Sequence, residues 1–203
     1  MIPAAYTDFY RRVVGKFVSL TDEEWAVFTG FLTLKELGKK ELFTAEGKVC
    51  TEVAFIVSGS FRLYFIKDGI EYSNYFCFEG DLISSFKSYL TQTPGHFTID
   101  AMEPSVLLCY TYQGMQQMLA HPLIGYKMER YGRLVSEYLN CCYEDRLEGF
   151  VTQTPEERYC SLLQSGYDIM QRIPQHYVAN FLGITPVSLS RIRKRLMESR
   201  SAL

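Results

Sequence analysis

The chain has 203 residues, 47% of them hydrophobic and 22% charged, with fifteen tyrosines, fourteen phenylalanines and a net charge of −2. That composition excludes a disordered chain and a uniformly basic nucleic-acid coat, and it suits one large domain or two small ones. The first residues carry no basic stretch followed by an apolar one, and no apolar run approaches the ~18 residues of a membrane span, so a cytoplasmic protein without membrane contact is expected, its six cysteines reduced.

In chain order, Phe9, Val13, Val14 and Phe17 fall at helical spacing and predict a helix over residues 6–17. Thr21 and Glu24 form a capping box ahead of Trp25, Phe28 and Leu32, which predicts a second helix. From residue 34 to 112 short apolar runs are punctuated by Gly, Asp and Ser: 42–43, 53–57, 61–66, 72–78, 97–101 and 106–112. Strands this short and this regularly spaced read as an antiparallel sandwich or barrel, with Asp68-Gly69 as a hairpin turn. Residues 113–119 read as a short helix ended before Pro122, and 122–150 as one long helix. On the long helix Met128, Tyr131, Val135, Tyr138 and Cys142 alternate steps of three and four, the spacing of a coiled-coil seam. This predicts homodimer contact beside packing on the helix's own β-domain. Thr154, Pro155 and Glu157 then mark a helix start, with the helix expected to run to Met170.

The last forty residues carry the sharpest pattern. Val178, Ala179 and Leu182 give residues 175–182 one apolar face; Gly183 permits a positive-φ turn; Ile184 plugs the gap; Thr185 caps a further helix and Pro186 opens it. Leu189, Ile192 and Leu196 face back, while Ser188, Arg191 and Arg195 lie opposite. That is a helix-turn-helix, whose second helix docks in a major groove. From Arg172 to Arg200 there are six positive residues and one negative, so this end carries +5 and the rest of the chain −7. A basic end on an acidic body suits a tethered phosphate-binding module. Arg191 can reach a guanine edge or a phosphate, Ser188 a base or a phosphate, and the amides beside Thr185 a phosphate. Arg193, Lys194 and Arg195 add salt-dependent affinity for double-stranded DNA, although three consecutive residues cannot all face one groove.

A β-domain, a long helix and then a helix-turn-helix ending in Leu189-Ser190-Arg191-Ile192-Arg193-Lys194-Arg195-Leu196 together resemble the Crp/Fnr family of bacterial regulators over nearly the whole chain. Residues 53–64, with Gly59 in the turn, are similar to that family's strand-turn-strand, and Phe78-Glu79-Gly80-Asp81-Leu82-Ile83 resembles the start of its phosphate-binding cassette. The resemblance implies an α+β chain. Residues 1–121 form an antiparallel β-roll (a jelly roll like a cyclic-nucleotide-binding domain), 122–151 a dimerisation helix and hinge, and 152–203 an all-α helix-turn-helix domain. It implies a homodimer on a palindromic operator, with RNA polymerase and an unidentified small-molecule effector as further candidate partners. The effector pocket would include Gly80, Asp81, Leu82, Ile83, Ser84 and Ser85.

Departures from the family matter as much. The cassette of cyclic-AMP-binding members carries an arginine that holds the cyclic phosphate; residues 94–101 have none, and only Lys87 and His96 are nearby cations. Burying a phosphate without a paired cation is costly, and Asp81 would repel it. Control by cyclic AMP is therefore not expected. Clustered N-terminal cysteines for an iron–sulfur cluster are missing, and His96 and Cys77 stand singly as haem ligands, so no cofactor is expected. Pro186 and Val187 stand where well-known members carry base-reading Arg and Glu, leaving Arg191 as the match. The β-wing after the recognition helix is missing or reduced to residues 197–200.

Three other readings stand beside this one. An enzyme is not expected: the histidines are His96, His121 and His176, too scattered for a metal triad, and no nucleophile elbow or phosphate-binding glycine loop occurs. An effector- or redox-sensing β-roll with weak or lost sequence-specific DNA binding is the alternative. The vicinal pair Cys141-Cys142 would need distortion to form a disulfide, and packing is its expected role.

Overall fold

The computed structural model describes residues 1–164 and 168–201. Two helices open the chain, α1 (Ala4–Val14) and α2 (Asp22–Thr29). The capping box is formed: the Glu24 amide donates to the Thr21 hydroxyl (3.2 Å) and the Thr21 amide to the Glu24 carboxylate (2.7 Å). Tyr10 of α1 is fully buried and stacks on Phe55, ring centroids 4.0 Å apart, so the N-terminal helix is fastened to the β-domain by aromatic contact.

Among the described residues eight strands make two antiparallel sheets. One has the order β1 (Thr33–Leu37), β8 (Ser105–Thr111), β3 (Glu52–Ser58), β6 (Leu82–Ile83). The other runs β2 (Leu42–Thr44), β7 (Thr98–Ala101), β4 (Phe61–Lys67), β5 (Ile70–Cys77). Ala54, Ile56, Phe61, Ile99 and Leu107 fill the space between them. The expected β-roll is therefore present. Asp68 and Gly69 both take positive φ (54° and 75°), the two-residue turn that lets β4 twist back into β5. Gly59 has φ +101°, and a Cβ there would sit 2.0 Å from the Ser105 hydroxyl, so both backbone and space demand glycine. Three elements escaped the sequence reading: β1, β6 and the short helix α3 (Phe86–Thr91).

Helix α4 (Tyr112–Ala120) turns sharply into α5 (Gly125–Thr152). The long helix starts three residues later than expected because residues 121–124 form the corner. A Cβ on Gly125 would lie 2.3 Å from the Leu119 carbonyl oxygen, so the corner closes only on glycine. Beyond it, α6 (Pro155–Gln164) starts as the sequence proposed: the Glu157 amide donates to the Thr154 hydroxyl and the Thr154 amide to the Glu157 carboxylate. It does not run on to Met170. Asp168 sits in the left-handed region (φ 47°, ψ 35°), which breaks helical geometry before α7 (Ile169–Arg172). The last two helices are α8 (Gln175–Phe181) and α9 (Pro186–Ser201). Residues 197–200 continue α9 and form no wing.

Candidate functional site

Helices α8 and α9 form the helix-turn-helix. Gly183 takes φ +71° between them, and the Ile184 amide donates back to the Ala179 carbonyl (3.0 Å). Val178, Ala179, Leu182, Leu189 and Ile192 are buried in one core, with Ile184 and Leu196 packed at its edge. Thr185 caps α9 through the Ser188 amide (3.1 Å), and the two hydroxyls lie 3.0 Å apart. The opposite face is open: Pro186, Arg191, Lys194 and Arg195 are exposed, Ser188 and Arg193 half-buried. Arg191 makes no ion pair among the described residues. Two predicted phosphate cations are partly engaged. Arg195 bonds the Glu156 carboxylate of α6, and Lys194 lies 3.8 Å from Glu198.

This head is docked on the β-roll, which the sequence did not reveal. Arg172 grips Glu79 with two bonds of 2.8 Å and reaches Glu103 at 3.0 Å. Asn180 on α8 bridges β5, accepting from the Ser73 amide and donating to the Glu71 carbonyl (2.9 Å). Phe76 packs on Phe181, centroids 5.2 Å apart. Arg62, 1% exposed, is held by both Asp100 oxygens (3.2 and 3.1 Å) and by Glu71 (2.7 Å), between the rings of Tyr64 (3.9 Å) and Tyr177 (3.7 Å). Burial alone would lower its pKa, but the Asp100 and Glu71 carboxylates outweigh that and raise it. The one sequence signal for Arg62 was a charge inside an otherwise apolar strand.

The expected seam residues make the packing on their own β-domain that was expected beside dimer contact. Met128 and Tyr131 are buried against α1, α2 and the roll in their own chain, and Val135 packs on the same cluster. Tyr138 lies against Phe17, centroids 6.3 Å apart, although 59% exposed, and Cys142 lines two cavities. A 3.5-residue stripe on a helix marks an apolar face without saying which surface covers it. The apolar side left open is Tyr143, Leu147 and Val151, four residues apart and 52%, 65% and 77% exposed.

The proposed effector residues divide between two neighbouring cavities. Gly80, Asp81 and Leu82 line one of 560 Å³, which reaches from β5 past α5 to the head. Leu82, Ile83 and Ser84 line another of 440 Å³ between the roll and α5, whose walls include Phe28, Val53 and Leu63. Ser85 is buried and lines neither. Neither cation that the sequence placed near the cassette-like segment lines these cavities. Lys87 and His96 are exposed, and the buried cation of the roll, Arg62, is committed to Asp100 and Glu71. Among the described residues no group of three or more His, Cys, Asp or Glu side chains could hold a metal ion.

Asp81 gives a pH test of the first cavity. Burial pushes its carboxyl up to about 6, against a bond from the Phe78 amide (2.9 Å) that favours the ionised form, with Glu79 adding to the rise. An acid raised on folding stabilises the fold most below its ordinary pKa, and that contribution is lost as pH rises through the folded value. Asparagine can still accept from Phe78. Asp81→Asn should therefore stabilise the protein by about 1–2 kcal/mol above pH 6 and by little at pH 4. Thermal melts at both pH values check this; an equal gap at pH 4 and pH 8 contradicts it.

No protein-family model matches the chain, and no curated protein matches it in sequence. Solved structures do match in fold. One is given as a transcriptional regulator of the Crp/Fnr family from Eubacterium rectale, 17% identical, TM-score 0.65, covering 94% of this chain and 88% of that one. Another is CLP from Xanthomonas campestris, described as a c-di-GMP-responsive global regulator, 13% identical, TM-score 0.68, covering 86% and 90%. A third is the catabolite activator protein of Thermus thermophilus, 20% identical, TM-score 0.52, covering 90% and 86%. At these identities the match establishes a shared fold: a cyclic-nucleotide-binding-like β-roll followed by a long helix and a helical C-terminal domain.

Proposed function

We propose that this chain is a DNA-binding transcription regulator, dimeric through α5, that places α9 of each subunit in a major groove of a palindromic operator and is not controlled by cyclic AMP. The observation that carries the reading is the open outer face of α9, with an exposed Arg191 lacking an ion-pair partner among the described residues, above a well-packed helix-turn-helix core. The regulators that share the fold support it. The exposed Tyr143–Leu147–Val151 side of α5 is the surface a second subunit would cover.

Fluorescence anisotropy with a labelled duplex from upstream of its own gene, at several salt concentrations and without added nucleotide, tests the reading. Binding should fall steeply with salt. Arg191→Ala should weaken it about 10- to 100-fold, the size of one lost bidentate base contact. Wild-type protein that fails to bind even a random duplex pool at low salt refutes the proposal. One observation favours the rival, an effector-sensing roll with weak sequence reading: Arg195 is already bonded to Glu156. Under that reading, binding would be salt-sensitive but indifferent to Arg191→Ala.

A further inference from the structure

The 560 Å³ cavity lies where the roll, α5 and the head meet. Its walls are largely aromatic and aliphatic, including Phe17, Phe78, Leu162 and Phe181. Two guanidiniums stand in them. Arg146 of α5 lies over the Phe181 ring at 3.9 Å and has no carboxylate within ion-pair distance among the described residues. Arg158 of α6 spends both terminal nitrogens on backbone carbonyls, Gln153 (2.6 Å) and Leu182 (3.1 Å), leaving a buried Nε–H with no hydrogen-bond partner among the described residues. Asp81 and Asp145 also line the cavity, but neither lies within ion-pair distance of these arginines.

Two guanidiniums in a largely apolar hollow, neither in an ion pair among the described residues and one with an idle buried donor, leave a place for an anion's oxygen atoms. Burial lowers the Arg146 pKa, and its neighbour Arg158 lowers it further, against the opposing effect of Tyr75 and Tyr143. A bound anion would relieve both costs. The volume suits a small organic molecule, and the apolar walls require that most of it be hydrocarbon.

We propose that this cavity binds a small amphipathic carboxylate, its carboxylate on Arg146 and the Arg158 Nε–H and its apolar body among the aromatic side chains of the roll and the head. Such a ligand touches all three parts of the chain at once. The site includes Gly80, Asp81 and Leu82 of the cassette-like segment, and it stands independently of the DNA reading.

Isothermal titration calorimetry on the DNA-free protein at pH 7.5, with decanoate and 1-decanol as probes, tests it. Decanoate should bind saturably, at least about tenfold more tightly than the alcohol, because a charge-assisted bond to a shielded guanidinium is the added interaction. Arg146→Gln should weaken decanoate about tenfold and leave decanol unchanged. Arg146→Lys, which keeps the charge, should retain most of the affinity and controls for loss of packing on Phe181. Equal affinities for acid and alcohol, an Arg146→Gln variant that binds decanoate as wild type does, or no saturation by 1 mM decanoate each overturns the proposal. In the last case the guanidiniums face water or a second subunit. None of these results touches the DNA reading, which is measured separately.

Discussion

Arg62→Leu should destabilise the protein by about 3–5 kcal/mol in urea unfolding at pH 7, the usual cost of removing one partner from a buried ion pair. The loss arises on the other side of the pair. Asp100 is 8% exposed, and both its oxygens are satisfied by the Arg62 guanidinium. Leucine leaves that carboxylate buried beside an apolar side chain. The bond to Glu71 adds little, because the Glu71 side chain is 44% exposed and water can replace the arginine there. Arg62→Leu combined with Asp100→Leu removes both charges and should recover most of the loss. A single variant within 1 kcal/mol of wild type, or a double variant no better than the single, contradicts the argument. Arg62 is also stacked under Tyr177 of α8, so its removal should loosen the head as well as the roll.

The pattern of what the sequence disclosed follows from the range of each interaction. The helix-turn-helix is written locally: Gly183, the Thr185-Pro186 cap and the apolar steps through Leu189, Ile192 and Leu196 lie within fourteen residues. The same is true of both capping boxes and of the Asp68-Gly69 turn. Strand β1 was missed because it pairs only with β8 and its residues are exposed or half-buried, so no apolar alternation marks it. Strand β6 has two residues, too few for a period. The long helix was visible, and its stripe was read as serving both a second subunit and its own β-domain; its first half is covered by α1, α2 and the roll. Long-range polar contacts, within the roll and between roll and head, had no local sequence signature. Arg62 and Asp100 are 38 residues apart, Asn180 and Glu71 are 109 apart, and each alone reads as an ordinary polar residue. Residues 80–84 were named as pocket residues, but the arginines that share their cavity were not: Arg146 and Arg158 acquire their shared setting only when α5, α6 and the roll come together.

Arg172 makes the charged contact that docks the head, and Arg172→Ala should loosen it. Its guanidinium meets the Glu79 carboxylate fork to fork and shares Glu103, while Glu79 also accepts from the Gly59 amide (2.8 Å) and Glu103 from the Ser60 hydroxyl (2.7 Å). Both acids are thus held in place before the arginine arrives, which lowers the entropy cost of the contact. Partial exposure of all three side chains limits its worth to about 2 kcal/mol. Cleavage within residues 150–155 in limited proteolysis should accelerate at least about tenfold in the variant. The pH dependence of wild type follows from Glu79. Burial raises its pKa, but the bonds from Arg172 and the Gly59 amide outweigh that and hold it below the usual glutamate range. An acid lowered on docking contributes above its free pKa, and the contribution is lost as pH falls through the docked value. Protection in wild type should therefore be flat from pH 6 to 8 and fail only in acid, below about pH 4. The consequence for DNA has a definite sign. The α9 face is exposed while the head is docked, so docking does not mask it; it fixes the direction in which Arg191 points. Freeing the head adds an ordering cost to each binding event, so Arg172→Ala should weaken operator binding about tenfold and leave binding to random duplexes nearly unchanged. Tighter operator binding by the variant would reverse this conclusion and make the Arg172 contact a restraint that must break before DNA is read.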